Sequence, residues 1–163
     1  MEIALPTESA GVEVHEGGCL CGAVRYRASG RPRYQAACHC RFCQHITGSG
    51  FLVEAVFLKE NVSFTRGTPK VYAYKSPAHG RTMHPQFCPE CGVTVGLTME
   101  RFPQVQAIFG GTFDEPGWFA MEKHIFTNQA LPWMGYSENM DIFEGHSMKL
   151  DGSPEEPSRK SLA

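Results

Sequence analysis

Short segments in which apolar and polar residues alternate run through most of this chain. In residues 23–27, Val24 and Tyr26 fall on one face of an extended chain, and two arginines fall on the other. Residues 70–75 and 93–97 show the same period of two, which is typical of half-buried β-strands. Five further strands are predicted at 51–57, 62–65, 82–87, 105–109 and 124–126.

Glycine and proline separate these segments. Turns are predicted at 67–69, 76–77 and 115–117, and a single short helical turn is predicted from Phe42 to Ile46. No long helical pattern with capping residues is present. The pattern therefore predicts a mainly β fold in which short antiparallel strands are joined by loops.

The length of 163 residues fits one domain. We place it at 12–150, after an N-terminal extension at 1–11. The polar, proline-rich segment at 151–163 is predicted to be disordered, because it has few apolar side chains to bury.

Charge and targeting signals narrow the function classes. The net charge of -2 disfavours broad electrostatic binding to nucleic acid or to an anionic membrane. No stretch approaches the roughly 20 apolar residues of a membrane helix. Residues 1–11 lack the basic start and apolar run of a signal peptide, so we expect a cytoplasmic protein.

All seven cysteines fall into three tight clusters. These are Cys19-Leu20-Cys21, Cys38-His39-Cys40-Arg41-Phe42-Cys43 and Cys88-Pro89-Glu90-Cys91. Cysteines stay reduced in the cytoplasm, and an odd count does not suit a set of disulfides. Metal binding is therefore the preferred interpretation of the clusters.

Strand geometry suggests how seven thiols divide between two sites. Successive side chains of an extended chain alternate between faces, so the two sulfurs of a Cys-x-Cys segment point the same way, and His39 points away from its neighbours. Cys88 and Cys91, followed by Gly92, resemble a zinc knuckle that needs two more ligands. Pairing the knuckle with Cys19 and Cys21 leaves no pair unused. The alternative pairs it with two thiols of the 38–43 cluster.

A zinc site with four thiols and a zinc site with three differ in their chemistry. Four thiolates close a tetrahedral zinc site and favour a structural role, whereas three leave one position for water or substrate. A zinc ion on three thiolates suits the binding of a substrate thiolate, because the metal lowers the thiol pKa. A second structural zinc with a histidine such as His39 or His45 as its fourth ligand remains the alternative.

Six motifs occur in order between residues 15 and 144. They are Gly18-Cys19-Leu20-Cys21-Gly22-Ala23-Val24-Arg25-Tyr26, Cys38-His39-Cys40-Arg41-Phe42-Cys43, Phe87-Cys88-Pro89-Glu90-Cys91-Gly92, Gly111-Thr112-Phe113-Asp114-Glu115-Pro116, His124-Ile125-Phe126 and Pro132-Trp133. With this set the chain resembles the glutathione-dependent formaldehyde-activating enzyme family, which also contains centromere protein V.

The resemblance implies a β-tent fold with two zinc ions. It implies a structural zinc on Cys19, Cys21, Cys88 and Cys91, and a catalytic zinc on Cys38, Cys40 and Cys43. The implied activity joins formaldehyde and glutathione into S-(hydroxymethyl)glutathione, which is a carbon–sulfur lyase reaction run in reverse. The chain departs from the family pattern at Gln44-His45 and at residues 139–144, and both departures bear on the substrate pocket.

Three residues are candidates for a role in proton transfer or substrate binding beside the open zinc position. His45 and His124 are predicted to transfer protons, and Arg41 is predicted to bind a substrate carboxylate. The rival hypothesis from another class is a non-catalytic, zinc-stabilised interaction module. Binding of nucleic acid, as by zinc ribbons, is disfavoured by the acidic balance.

Overall fold

The computed structural model describes residues 13–160, so the predicted extension at 1–11 lies outside the described residues. This part of the chain contains thirteen strands, one α-helix and four short 3₁₀ helices. The strands are β1 (Val14–Gly18), β2 (Arg25–Ser29), β3 (Tyr34–Cys38), β4 (Leu52–Leu58), β5 (Val62–Arg66), β6 (Lys70–Val71), β7 (Tyr74–Lys75), β8 (Thr82–Phe87), β9 (Thr94–Met99), β10 (Val105–Phe109), β11 (Lys123–Ile125), β12 (Asp141–Ile142) and β13 (Arg159–Lys160). The α-helix α1 is Arg41–Thr47, and the 3₁₀ helices are Lys59–Asn61, Gly110–Thr112, Pro116–Trp118 and Thr127–Gln129. The mainly β prediction is confirmed.

The strands form two sheets. A three-stranded sheet has the order β1-β2-β5, and a ten-stranded sheet has the order β13-β12-β11-β3-β4-β10-β9-β8-β6, with β7 also paired to β8. Most pairs are antiparallel, but β11 runs parallel to both β3 and β12. No helix among the described residues is long and apolar enough to cross a membrane.

The predicted strands at 82–87 and 105–109 coincide with β8 and β10. The predicted strand at 70–75 is divided into β6 and β7, which pair with opposite ends of β8. Pro85 lies between those ends and has no N–H to donate, although its carbonyl accepts a hydrogen bond from the Tyr72 N–H at 3.1 Å. The proline therefore interrupts the pairing that a continuous strand would need.

The alternation pattern did not reveal β1 or β3. All five residues of β3 are buried, because the strand lies inside the large sheet and is covered on both faces. Such a strand has no polar face and hence no period of two. Its sequence, Tyr-Gln-Ala-Ala-Cys, also lacks the β-branched residues that mark many strands.

The end of the described chain pairs with the edge of the large sheet. Arg159–Lys160 pairs antiparallel with Asp141–Ile142 at the edge of the large sheet. The Ser158 N–H also donates to the Ile142 carbonyl at 2.8 Å. Backbone hydrogen bonds, and not apolar side chains, supply this contact.

Two buried clusters lie on opposite faces of the large sheet. In β4, Val56 belongs to one cluster, and its neighbours Ala55 and Phe57 belong to the other. The first cluster includes Cys38 and Cys43, whereas the second includes Cys19 and Cys88. The sheet therefore separates the two groups of cysteines.

Contacts from two of the sequence motifs attach the small sheet to the rest of the fold. Arg25 in β2 forms a bidentate ion pair with Asp114. The buried Tyr26 hydroxyl lies 2.8 Å from the Thr112 hydroxyl. Because these partners follow β10 directly, they fix β2, and the nearby Cys19–Cys21 turn, against the large sheet.

Candidate metal centres and cavity

Four thiols converge where the two sheets meet. The Sγ atoms of Cys19, Cys21, Cys88 and Cys91 all lie within 4.8 Å of one another. The Cys19–Cys21 and Cys21–Cys88 sulfur distances are 3.6 and 3.7 Å. The structure thus groups these thiols as the first of the two predicted pairings does.

Matching backbone turns shape the two halves of this four-thiol centre. In one, the Gly22 N–H donates to the Cys19 carbonyl at 3.1 Å; in the other, the Gly92 N–H donates to the Cys88 carbonyl at 3.0 Å. Both glycines have positive φ, 75° and 74°, which permits the sharp turn after each second cysteine. Leu20 is 88% exposed, so it points away from the sulfurs, as the Cys-x-Cys spacing predicts.

Three thiols form a second group on the other face of the large sheet. Cys38 ends β3, Cys40 is the N-cap of α1, and Cys43 lies in its first turn. Their Sγ atoms are again within 4.8 Å of one another. The Cys43 N–H donates to the Cys40 sulfur at 3.4 Å, so the start of the helix sets the spacing of these two thiols.

Local hydrogen bonds favour a thiolate at each centre. Thiol hydrogen bonds from Cys38 and Cys43 lower the pKa of Cys40 to about 3. Burial raises the pKa of Cys19, but the Val24 N–H, 3.2 Å from its sulfur, and the other three thiols outweigh this and bring the pKa to about 6. Thiolates are the ligands that soft divalent metals require.

The sulfur spacing fits a tetrahedral ion. Zinc–sulfur bonds of about 2.3 Å place tetrahedral sulfurs about 3.8 Å apart, close to the two distances in the four-thiol centre. The same distances are far longer than the roughly 2.05 Å of a disulfide bond. All seven cysteines are free thiols, so both groups can hold a metal ion.

A cavity of about 380 Å³ opens beside the three-thiol centre. This volume falls in the range of sites for small molecules. All three thiols line it, together with apolar side chains that include Phe42, Leu97, Met99 and Phe126. None of the four other cysteines lines this cavity.

Glu54 in β4 also lines the cavity, and sequence reasoning did not single it out. Glu54 is 4% exposed. No described residue forms a hydrogen bond with its carboxyl group. Burial, followed by the nearby charge of Cys40, raises its pKa to about 8. Both effects favour the protonated form of the Glu54 carboxyl group beside the three-thiol centre. Its signal in the sequence was one acid within the apolar run Leu-Val-Glu-Ala-Val-Phe-Leu.

Of the predicted substrate and catalytic residues, only Arg41 lines the cavity. Its guanidinium donates to the Gln44 side chain and lies 3.3 Å from the His45 ring. His45 is exposed on α1 and is not part of the cavity wall. Gln44 is buried instead, where its amide donates to the His39 carbonyl at 2.6 Å and steadies the start of the helix.

His124 is buried and also lies outside the cavity wall. Its Nδ1 is 2.9 Å from Nε2 of His39, and its Nε2 accepts a hydrogen bond from the Ser137 N–H at 3.2 Å. His39 is fully buried and does not join the three-thiol group, consistent with the expectation that it points away. The two histidines form a packed pair behind the centre rather than a wall of the cavity.

A solved structure and a sequence-family model are similar to this chain. A crystal structure of a protein from Rhodobacter sphaeroides is similar in fold, with 18% sequence identity, a TM-score of 0.47, and coverage of 61% of this chain and 87% of that one. The sequence model of the family described as glutathione-dependent formaldehyde-activating enzyme matches residues 14–129, which hold all seven cysteines. The chain belongs to the glutathione-dependent formaldehyde-activating enzyme family.

Proposed function

We propose that this protein is a carbon–sulfur lyase that acts on the adduct of an aldehyde with glutathione or another small thiol. The observation that carries the proposal is the three-thiol centre in the wall of a small-molecule cavity. The family match supports the same chemistry, since its name joins glutathione and formaldehyde. In the synthetic direction the product is S-(hydroxymethyl)glutathione.

The two centres are proposed to hold zinc in different roles. Cys19, Cys21, Cys88 and Cys91 close a structural site that ties the small sheet to the large one. Cys38, Cys40 and Cys43 supply three ligands of a second ion, which when bound lowers the pKa of a substrate thiol and orients its sulfur. The narrow spacing of the thiols at the start of α1 is the contribution of this chain to that site.

Glu54 is proposed to move the proton that the reaction requires. When the carbon–sulfur bond forms, the aldehyde oxygen must gain a proton; when the bond breaks, the hydroxyl group must lose one. The Glu54 carboxyl lines the cavity and has no competing hydrogen-bond partner among the described residues. A proton held on its Oε atom is therefore available in the synthetic direction and can be returned in the other. Proton transfer by His45 or His124 stays a prediction, and neither ring lines the cavity.

The proposed partner is a small thiol, in a compartment that keeps cysteines reduced. All seven cysteines are free, which supports a reducing compartment such as the cytoplasm. The overall charge of -2 still disfavours nucleic acid as a partner.

The direct test is the exchange rate between formaldehyde plus glutathione and S-(hydroxymethyl)glutathione, measured by exchange NMR with the zinc-loaded protein. The wild type should exceed the spontaneous rate, and Glu54→Gln should reduce the enzymatic rate about 100-fold or more while leaving the zinc content unchanged. Glu16→Gln is a matched control, because Glu16 is exposed and pairs with Arg27 away from the cavity. A wild-type rate equal to the spontaneous one, with glutathione and with other thiols, would exclude the lyase and leave the zinc-stabilised interaction module.

A further inference from the structure

The wall of the cavity carries more positive than negative charge. Among the described residues that line it are three arginines (Arg41, Arg81 and Arg101) and a single acid, Glu54. Arg41 is already engaged with side chains of its own helix. The other two arginines come from separate parts of the chain, before β8 and after β9, and neither forms an ion pair with a described acid.

Arg101 is held in place but not neutralised. Its Nη2 donates to the Met148 carbonyl at 2.8 Å, and its guanidinium lies 4.9 Å from the centre of the Phe102 ring. Its Nε is buried and has no hydrogen-bond partner among the described residues. The guanidinium group therefore keeps donor capacity that no described residue uses.

Arg81 lies close enough to Arg101 for their charges to repel. Burial first, and then the charge of Arg81, lower the pKa of Arg101. The Arg81 side chain makes no hydrogen bond or ion pair with a described residue. Two like charges that share a partly desolvated wall are stabilised when an anion binds between them.

We propose that Arg81 and Arg101 bind a carboxylate of the substrate, so that the cavity selects a thiol that carries a carboxylate over a small neutral thiol. The sulfur would lie at the three-thiol centre and the carboxylate at the arginines, as two ends of one ligand. This inference rests on the proposed function in one respect, namely that the cavity receives the substrate thiol. Guanidinium groups suit this task because they offer two parallel donors to a carboxylate.

The carboxylate end is assembled partly outside the region that matches the family model. That match ends at residue 129, whereas the carbonyl that holds Arg101 belongs to Met148. His146, two residues earlier, lines the same cavity. The residues after 129 therefore help to position the arginine that would set the preference among thiols.

Calorimetric titration of the zinc-loaded protein with three thiols tests the proposal. Glutathione and its diethyl ester share the thiol but differ in their carboxylates, and 2-mercaptoethanol is a small neutral thiol. The wild type should bind glutathione about 10- to 100-fold more tightly than the diester. Arg81→Gln and Arg101→Gln should each remove most of this preference and leave 2-mercaptoethanol binding unchanged.

Arg31→Gln is the matched control, since the Arg31 side chain is 93% exposed and does not line the cavity. It should retain the full preference for glutathione over its diester. Should Arg101→Gln fail to fold because of its lost contact to Met148, Arg81→Gln decides alone, as its guanidinium holds no described residue. Equal binding of glutathione and diester by the wild type, or a preference that survives in Arg81→Gln, overturns the inference.

The binding result and the turnover result are independent. If the protein prefers glutathione to its diester but does not accelerate the aldehyde reaction, the carboxylate site is supported and the lyase activity is excluded. If wild type and Arg81→Gln turn over the adduct equally well and neither prefers carboxylates, the lyase activity is supported and the carboxylate site is excluded.

Discussion

The four-thiol and three-thiol centres differ less in their ligands than in their surroundings. The four-thiol centre is the more accessible, for Cys21 is exposed and Cys91 is half-buried, yet none of its cysteines lines the cavity. In the three-thiol centre Cys38 and Cys43 are buried, but all three thiols face the enclosed space that Glu54 and the arginines share. The candidate reactive centre is therefore identified by its incomplete set of ligands and by the adjoining cavity, and not by its exposure to solvent.

The largest expected effect comes from removing one thiol from each centre. Cys91→Ser should lower the free energy of unfolding by several kcal/mol, because structural zinc contributes directly to folding, roughly 10–16 kcal/mol in small zinc peptides. Cys43→Ser should abolish turnover and cost less stability, because the four-thiol centre still ties the sheets together. Urea unfolding with both variants zinc-loaded, together with metal content, measures the difference.

The two substitutions are chemically identical, which makes the comparison direct. Thr47→Val is a useful control, since Thr47 lies in the same helix as Cys43 but is not a thiol ligand. If Cys43→Ser and Cys91→Ser unfold the protein to the same extent, the two centres share the structural role and the division between them is wrong.

The three local clusters of thiols could be read from the sequence because short spacing determines them, whereas the pairing of Cys19 and Cys21 with Cys88 and Cys91 was one of two alternatives. Two residues between Cys88 and Cys91, and one between Cys19 and Cys21, leave few ways to arrange the sulfurs. The surroundings of the three-thiol centre could not be read in this way. Glu54 reaches it only through the pairing of β3 with β4.

The candidate histidines illustrate the same limit. His45 follows Cys43 by two residues, and this half-turn of helix places its side chain on the exposed side of α1. His124 is held next to His39 by the parallel pairing of β11 with β3, which no local pattern predicts. Closeness in sequence was therefore a poor guide to closeness to the cavity.

A smaller effect, a loss of folding stability at acid pH, is expected from a histidine on the cavity side of the large sheet. His146 packs against the rings of Tyr34, Phe102 and Phe126 on the cavity side, and burial lowers its pKa from 6.5 to about 4. The unfolded chain therefore binds a proton that the folded chain refuses, so stability falls as the pH drops from about 6.5 to about 4. Partial exposure of the ring limits the loss to about 2 kcal/mol.

His146→Phe should remove this part of the acid sensitivity. Urea unfolding of wild type and variant between pH 4 and 7 measures it as a difference in slope, in which the titration of the cysteines common to both cancels. Equal slopes in wild type and His146→Phe would show that the cavity side does not hold a buried neutral histidine.

The smallest effect concerns the backbone of the four-thiol centre. Gly92 has a φ of 74°, and a Cβ added there would meet no atom within 4 Å. Gly92→Ala should therefore cost only the strain of a left-handed residue, about 1 kcal/mol, in thermal unfolding of the zinc-loaded protein. Gly111→Ala is its control, because an added Cβ is equally free there and φ is not positive. Since the turn shapes the structural centre and not the cavity, turnover per folded molecule should be unchanged; a variant that kept its stability and lost turnover would assign the knuckle to the chemistry instead.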